Sequence, residues 1–199
     1  MLAHSVVRCS DVRHWRKSER ARLIKERLEI SASTRRQKSD CIAGLLDLAI
    51  GDVSERVVSG YWPFRGEPDL RDWLEHLETR GSRCALPVVV NARAPLVFRI
   101  WRRGDKLERG VLDIPVPVAG EEVCPDVVIA PLVGYDRDAY RLGYGGGFFD
   151  RTLAAMEKRP LIIGVGYSQA EIQTIYPELH DIPMDKIVTE DKIVTRPDG

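Results

Sequence analysis

The segment from Arg141 to Arg151 reads RLGYGGGFFDR and holds four glycines in five consecutive positions. Glycine costs up to about 1 kcal/mol relative to alanine in regular structure, so this density indicates a backbone that turns tightly or approaches a ligand closely. A helix predicted after Gly147 would point free N–H groups and its positive dipole end at the loop. Arg141 supplies a guanidinium suited to phosphate oxygens, and Asp150 supplies a carboxylate suited to a divalent cation. The segment therefore predicts a phosphate-binding site.

The common phosphate-binding motifs do not describe this loop. A GxxxxGK[ST] sequence is absent, and GxGxxG would need a glycine at position 148, where the chain has Phe148. The alternative interpretation is a flexible hairpin in which Asp150 only complements the helix dipole. Arg141 and Asp150, which flank the glycines, favour the ligand-binding interpretation.

The charge of the chain is balanced in total but not along its length. There are 30 Lys and Arg residues against 30 Asp and Glu residues. Residues 1–38 hold eleven basic and four acidic side chains, a net +7 that the remaining residues balance with −7. Such a block indicates an anionic partner: a nucleic acid, a phosphate-bearing ligand or the acidic remainder of the chain. The alternative is a solvated helix face with ion pairs four residues apart.

Composition excludes several classes of protein. A chain of 199 residues with 44% hydrophobic content and zero net charge is not a disordered polymer. The longest apolar runs, such as residues 127–133, are far shorter than the roughly 18 residues that span a bilayer. The four cysteines form no CxxC pair and share no metal-ligand spacing with the four histidines, so neither disulfides nor a zinc site is expected. We expect a cytoplasmic protein without an obligate protein partner.

Hydrophobic periodicity predicts the elements that must position these residues. Helices are predicted over residues 15–30, 34–49 and 149–158, and Ser31 and Gly51 flank the second of these. A further helix is predicted to have Pro68 in its first turn and to end at Gly81. Strands are predicted at 56–61, 85–90, 96–101, 127–133, 161–167, 186–189 and 192–195. Several are continuously apolar, which is typical of parallel strands buried on both faces. The pattern predicts an α/β fold: a single three-layer domain with a mostly parallel central sheet, helices on both faces and the basic N-terminal helices packed on it.

The glycine segment resembles the signature of the 5-formyltetrahydrofolate cyclo-ligases, also called methenyltetrahydrofolate synthetases. The matching residues outside the loop are 125–136 (PDVVIAPLVGYD), Tyr61-Trp62-Pro63 with Glu67, and His180-Asp181 with Asp185 and 188–190 (VTE). The resemblance covers residues 13–195. It leaves residues 1–12 as a loosely ordered N-terminal extension.

The resemblance implies an enzyme that uses ATP and Mg²⁺ to convert 5-formyltetrahydrofolate to 5,10-methenyltetrahydrofolate, with release of ADP and phosphate. The formamide oxygen is a poor leaving group, so it is first phosphorylated, and N10 of the folate then closes the ring as phosphate departs. This chemistry needs positioning and charge neutralisation more than covalent participation of the protein. The implied partners are a reduced folate and ATP, with no nucleic acid and no membrane.

The resemblance also implies roles for individual residues. The ATP phosphates would be bound by the loop, namely Arg141, Leu142, Gly143, Tyr144, Gly145, Gly146, Gly147, Phe148 and Phe149. The N-terminal helix would add Arg16 or Lys17, and Arg20. Asp150 and Asp181 would hold Mg²⁺. The folate would be contacted by Trp62, Glu67, Tyr144 and Phe148, with Arg141 and Glu67 as the catalytic residues.

Some of these assignments have alternatives. The family pattern near the N-terminus is a Lys followed four residues later by an Arg; Arg16 and Arg20 keep that spacing, whereas Lys17 keeps the residue type. Trp62 could be a half-buried aromatic beside a proline, and Glu67 could be a helix-start residue. Glu67 and the carboxylate after the glycine loop are both expected to be solvent-accessible.

Two departures from the family pattern keep other functions open. Phe148-Phe149 stands where the family has one or two tyrosines, and Val116-Pro117 stands where it has Glu-Pro. The alternatives are a divergent paralogue, that is, a phosphate-binding α/β enzyme acting on another small molecule, and a nucleic-acid-binding module that uses the basic N-terminal helices. The basic run offers only Trp15 for stacking on bases, which disfavours the second.

Overall fold

The computed structural model of the protein describes residues 9–196. Within them lie four α-helices: α1 (Cys9–Glu29), α2 (Ala32–Ile50), α3 (Arg71–Thr79) and α4 (Phe148–Ala155). The strands in chain order are β1 (Val57–Ser59), β2 (Arg83–Val88), β3 (Val97–Ile100), β4 (Leu107–Arg109), β5 (Pro115–Pro117), β6 (Glu122–Val123), β7 (Val127–Pro131), β8 (Gly134–Tyr135), β9 (Arg141–Leu142), β10 (Leu161–Val165), β11 (Lys186–Val188) and β12 (Ile193–Thr195). Of the predicted N-terminal extension, residues 1–8 lie outside the described residues and residues 9–12 begin α1.

Eight of these strands form one sheet in the order β12-β11-β10-β7-β1-β2-β3-β6. The five central strands, from β11 to β2, are parallel, and β12, β3 and β6 join by antiparallel pairing. The chain passes from β1 through α3 to β2 on one side, and from β7 through α4 to β10 on the other. The winding direction therefore reverses between β1 and β7. In open α/β sheets the carboxyl edge at such a reversal is where ligands bind.

Helices cover both faces of this sheet. Leu46 of α2 and Leu74 of α3 belong to one hydrophobic core, and Leu23 of α1 and Leu153 of α4 belong to the other. Alternate residues of β7 enter the two cores, because successive side chains of a strand point to opposite faces. The predicted three-layer α/β fold with a mostly parallel sheet is confirmed.

The ends of α2 follow from capping chemistry. The Ser31 hydroxyl accepts the Thr34 N–H at 3.1 Å, and Gly51, at φ +73°, ends the helix by donating its N–H to the Asp47 carbonyl. Ser31 and Gly51 are the two residues from which the sequence predicts these ends.

The start of α3 differs from the prediction. Pro68 is not in the first turn: the helix begins at Arg71. The Tyr61 hydroxyl donates to the Pro68 carbonyl at 2.8 Å, and the Asp69 carboxylate accepts the Arg71 N–H at 3.2 Å. These bonds hold Pro68 in the preceding loop, so the residues before α3 are free to form part of the cavity described below.

The sequence prediction lacks five short strands: those of the β4–β5 and β8–β9 hairpins, and the edge strand β6. Strands of two or three residues are too short to show periodicity. In the loop that joins β4 to β5, Leu112 and Asp113 both adopt left-handed conformations, at φ +58° and +62°. No helix of residues 9–196 is long and apolar enough to cross a membrane. The cytoplasmic location stays a prediction.

Candidate active site

A cavity of about 330 Å³ opens at the carboxyl edge of the parallel strands, where the winding reverses. Tyr61 and Trp62, which follow β1, form part of its wall, as do Leu86 near the end of β2 and Pro131 at the end of β7. The glycine loop and the start of α4 form another part. Segments that lie far apart in the sequence meet here because parallel strands bring their carboxyl ends to one edge.

Nearly all the residues that the sequence assigns to ligands line this cavity. They are Arg16, Arg20, Trp62, Glu67, the whole loop from Arg141 to Phe149, Asp150 and Asp181. Lys17 does not line it and is exposed on the surface of α1. Of the two residues offered for the first basic position, the structure brings Arg16 to the site.

The glycine loop turns directly into α4. Gly145 has φ +97°, and Gly147, the N-cap residue of α4, has φ +62°. A side chain at either position would be strained, which is the reason for glycine there. No side chain caps the N-terminus of α4. Its first N–H groups and the positive dipole end therefore face the cavity and suit an anion.

Arg141 is 8% exposed and lies against the start of α4. Its Nη2 donates to Oδ2 of Asp150 at 3.0 Å, and its guanidinium carbon lies 5.0 Å from the centre of the Phe149 ring. Burial lowers the pKa of Arg141, whereas the charges of Asp150 and Asp181 oppose that shift. Its Nε is buried without a hydrogen-bond partner.

Asp181 reaches the site by pairing with Arg16. Nη2 of Arg16 lies 2.5 Å from Oδ2 of Asp181, and the same guanidinium donates to the carbonyls of Ile175 and Tyr176 at 2.9 and 2.7 Å. Burial acts to raise the pKa of Asp181, but the hydrogen bonds from Arg16 and from the Glu178 N–H hold it below its usual value. Asp181 is therefore ionised at neutral pH.

Arg20 supports the glycine loop from α1. Its Nε donates to the Gly143 carbonyl at 2.7 Å, and a Cβ at Gly145 would lie 3.4 Å from its guanidinium carbon. Burial and the charge of Arg16 lower the pKa of Arg20. Arg16 and Arg20, four residues apart on α1, therefore place two cations side by side at the cavity, one paired with Asp181 and the other with the Gly143 carbonyl.

Asp150 and Asp181 come from segments 31 positions apart and lie close together, since the Ile182 N–H donates to Oδ1 of Asp150 at 3.3 Å. Mg²⁺ is usually held by one or two carboxylates together with substrate phosphates. A carboxylate pair beside a loop and helix N-terminus that suit an anion fits that requirement. Within residues 9–196, no cluster of three or more His, Cys, Asp and Glu side chains could hold a metal ion without substrate.

Glu67 lies in the wall of the cavity and is only 5% exposed, so the expectation that it is solvent-accessible is wrong. Its Oε2 accepts the Phe64 N–H at 2.9 Å, and its Oε1 is buried with no partner at normal hydrogen-bond distance. Burial raises the pKa of Glu67 to about 7, against the opposing effects of the Arg27 charge, the Phe64 N–H and the Tyr144 hydroxyl. Because α3 begins only at Arg71, Glu67 is not a helix-start residue.

Aromatic side chains line the same cavity as Glu67. Trp62 packs edge-to-face on Trp101, with ring centres 6.0 Å apart, and carries the Arg71 guanidinium 4.8 Å above its ring. It lines the cavity while half-buried beside Pro63, so both sequence interpretations of Trp62 describe its position. The Tyr144 ring lies 5.6 Å from that of Phe64. This part of the cavity suits a flat, partly apolar ligand.

Sequence reasoning missed two parts of the site. Arg27 of α1 donates a hydrogen bond to the Tyr144 hydroxyl from behind the cavity. The loop between β4 and β5 and the first residues of β5 line the cavity with apolar side chains, namely Val111, Leu112, Ile114, Pro115 and Val116. The position of Arg27, seven residues after Arg20 on the same helix face, is a signal that could have identified it. The apolar loop left no periodic signal.

The described basic residues of the block 1–38 divide between the surface and contacts with the rest of the chain. Arg16 pairs with Asp181, and Lys38 pairs with Glu190. Arg22 instead pairs with two glutamates of its own helix. Both a solvated face with ion pairs and the acidic remainder of the chain therefore account for part of the block.

The fold and the cavity together define a class: α/β domains with a mostly parallel sheet and a ligand-sized cavity at the point where the winding reverses. The chain belongs to the 5-formyltetrahydrofolate cyclo-ligase family, whose model matches residues 12–190. The resemblance seen in the sequence is thereby confirmed.

Individual relatives agree with this assignment. The chain is 30% identical to a 5-formyltetrahydrofolate cyclo-ligase of Mycolicibacterium smegmatis over 178 residues, which cover 85% of this chain and 91% of the relative. It is 32% identical to the protein of that name from Escherichia coli K12 over 148 residues, which cover 71% and 81%.

A solved structure agrees as well. The 5,10-methenyltetrahydrofolate synthetase of Aquifex aeolicus superposes with a TM-score of 0.78 at 28% identity, over 92% of this chain and 94% of that chain. A protein of the same name from Mycoplasma pneumoniae, at 20% identity, shares the fold with a TM-score of 0.73 over 88% and 98% of the two chains.

Proposed function

We propose that this protein converts 5-formyltetrahydrofolate to 5,10-methenyltetrahydrofolate with ATP and Mg²⁺, releasing ADP and phosphate. Membership of the cyclo-ligase family supports the reaction. The observation that carries the proposal for this chain is that one cavity joins two unlike halves. The glycine loop, Arg141 and Asp150 form a half suited to phosphates. Trp62 and Glu67 belong to a half suited to a flat ring that carries nitrogen atoms.

In the phosphate half, we assign ATP to the residues that donate hydrogen bonds or carry positive charge. The N–H groups at the start of α4 and the guanidinium of Arg141 would bind phosphate oxygens. Arg16 and Arg20 would neutralise charge as the phosphoryl group moves to the formyl oxygen of the folate. Each would do so by exchanging a present acceptor for a phosphate oxygen.

Asp150 and Asp181 would hold Mg²⁺, which when bound supplies charge neutralisation on the phosphates. In the structure both carboxylates pair with arginines, at 3.0 Å from Arg141 and 2.5 Å from Arg16. The same arginines are those assigned to phosphate. On this assignment, Arg141 and Arg16 would exchange their carboxylate partners for phosphate oxygens, and Asp150 and Asp181 would become available to hold the metal.

In the folate half, Glu67 would handle the proton that N10 loses. N10 attacks the phosphorylated formyl carbon, the N10–C bond forms, the C–O bond breaks, and phosphate departs with its electron pair. A carboxyl whose pKa is about 7 can accept the N10 proton at neutral pH. Within the glycine loop, Tyr144 supplies the hydroxyl near Glu67, because Phe148 and Phe149 have no hydroxyl group.

The test is the absorbance of methenyltetrahydrofolate formed from 5-formyltetrahydrofolate, with Mg-ATP, with ATP and a chelator, and without nucleotide. We expect product only in the first case. Calorimetry of Mg-ATP binding runs in parallel. A protein that binds Mg-ATP but leaves 5-formyltetrahydrofolate unchanged would instead be a paralogue for another small molecule.

One observation favours that second candidate. Val116 is an apolar residue of the cavity wall at the position where the family pattern has a glutamate. The cavity of this chain therefore lacks one charged group that the family pattern would supply.

A further inference from the structure

Arg27 is 5% exposed and does not line the cavity, yet its whole guanidinium is engaged with segments that do. Its Nε donates to the Arg65 carbonyl at 2.9 Å, and its Nη1 donates to the Leu132 carbonyl at 3.1 Å. Its Nη2 donates to the Tyr144 hydroxyl, and its guanidinium carbon lies 5.7 Å from the centre of that ring.

These three acceptors belong to three different parts of the site. Arg65 lies in the loop that carries Glu67, Leu132 directly follows β7, and Tyr144 lies within the glycine loop. No backbone pairing between strands joins the first of these segments to the third. We propose that Arg27 is a positioning residue that fixes the Glu67 loop against the glycine loop, and so aligns the two halves of the site. This inference rests on the proposed function.

The chemistry of the contact requires arginine. A guanidinium offers donors in a fixed plane and can reach three acceptors at once, whereas the single nitrogen of lysine cannot span them. Without those donors, the buried carbonyls of Arg65 and Leu132 would be left unpaired. Burial of the Arg27 charge is tolerated because all three nitrogens are hydrogen-bonded.

Arg27 also has an electrostatic effect on the ionisation of Glu67. The ionisable groups that face Glu67 are Arg27 from α1, Tyr144 from the glycine loop, and Tyr61 after β1. Arg27 is the only cation among these three. Its charge favours the ionised carboxylate against the effect of burial.

Two variants separate position from charge. Arg27→Lys keeps the charge and loses two of the three bonds, so kcat/KM for 5-formyltetrahydrofolate should fall by about 10- to 100-fold at every pH. Arg27→Gln loses the charge as well. The acidic limb of its kcat/KM profile, where Glu67 ionises, should also move upward by about one pH unit or more.

The matched control is Arg22→Gln on the same helix. Arg22 is exposed and pairs only with Glu19 and Glu26 of α1, so its loss should leave both the rate and the pH profile unchanged. Mg-ATP affinity of Arg22→Gln should stay within a few-fold of wild type, and all variants should keep a cooperative urea transition, which shows that they fold. A uniform loss of activity in Arg27→Gln with an unmoved acidic limb would refute the action on Glu67.

Hydrogen exchange tests the positioning without any turnover. In Arg27→Gln and Arg27→Lys, amides of residues 61–67 and 141–147 should exchange at least tenfold faster than in wild type, while those of β10 should not. Unchanged exchange in both segments would overturn the inference, whatever the activity. An inactive wild type with faster exchange in these variants would overturn the proposed function and leave the positioning role intact.

Discussion

Replacement of Glu67 by glutamine tests the physical state of the site most directly. The Glu67 side chain is buried, and its pKa is raised from 4.5 to about 7. This shift corresponds to about 3 kcal/mol between the folded and unfolded chains. Glutamine has nearly the same shape, keeps an oxygen for the Phe64 N–H and carries no charge at any pH.

The sign of the effect follows from the order in which the two states lose the proton. Below pH 4.5 the carboxyl is protonated in both the folded and the unfolded chain and contributes nothing. Between pH 4.5 and about 7 the unfolded chain ionises first, so the wild-type free energy of unfolding falls as pH rises. Above pH 7 the wild-type free energy of unfolding is lower by the full amount of about 3 kcal/mol. Glu67→Gln has no ionisable group at this position and should not show this decrease.

Urea unfolding of the wild type and of Glu67→Gln at several pH values from 4.5 to 8 measures this difference. The free energy of unfolding of the variant relative to wild type should increase with pH by about 3 kcal/mol. Each kcal/mol corresponds to about 2–4 °C in Tm for a chain of this size. Glu157→Gln, at an exposed position, is the control and should show no such trend. A stability difference that stays constant across the pH range would refute the buried-carboxylate reasoning.

Three further substitutions test the phosphate half of the site. Asp150→Asn removes the charge that a hard cation needs while it keeps the shape of the side chain, so Mg²⁺-dependent ATP binding and turnover should be lost together. In the same titration series, Glu67→Gln should keep Mg-ATP affinity within a few-fold of wild type. Gly145→Ala puts a Cβ at φ +97° and 3.4 Å from the Arg20 guanidinium, so about 1–2 kcal/mol of strain should lower ATP affinity roughly tenfold; normal ATP binding would make the loop only a turn. Arg141→Ala should weaken ATP binding at least tenfold in calorimetry and, because it leaves Asp150 unpaired, should lower the free energy of unfolding by about 3 kcal/mol. Unchanged nucleotide affinity would contradict the assignment of Arg141 to phosphate.

The sequence by itself indicates most of the fold and many of the residues that line the cavity. The continuous apolar runs at 127–133 and 161–167 predict buried parallel strands, and the glycine loop before α4 predicts an anion site, because both patterns are local. Ser31 and Gly51 predict the ends of α2 for the same reason: a cap acts within three or four residues of its own position.

Only the tertiary structure decides what is near what. The sequence leaves Arg16 and Lys17 as alternatives, and the rotation of α1 against the sheet turns Arg16 toward Asp181 and leaves Lys17 exposed. It gives no sign that Glu67 is buried, since burial depends on the aromatic side chains and on Arg27, which come from other parts of the chain. The role of Arg27 is likewise invisible in its neighbours. Its three acceptors lie 38, 105 and 117 positions away in the sequence. No local pattern encodes such contacts, because they form only when the whole chain has folded.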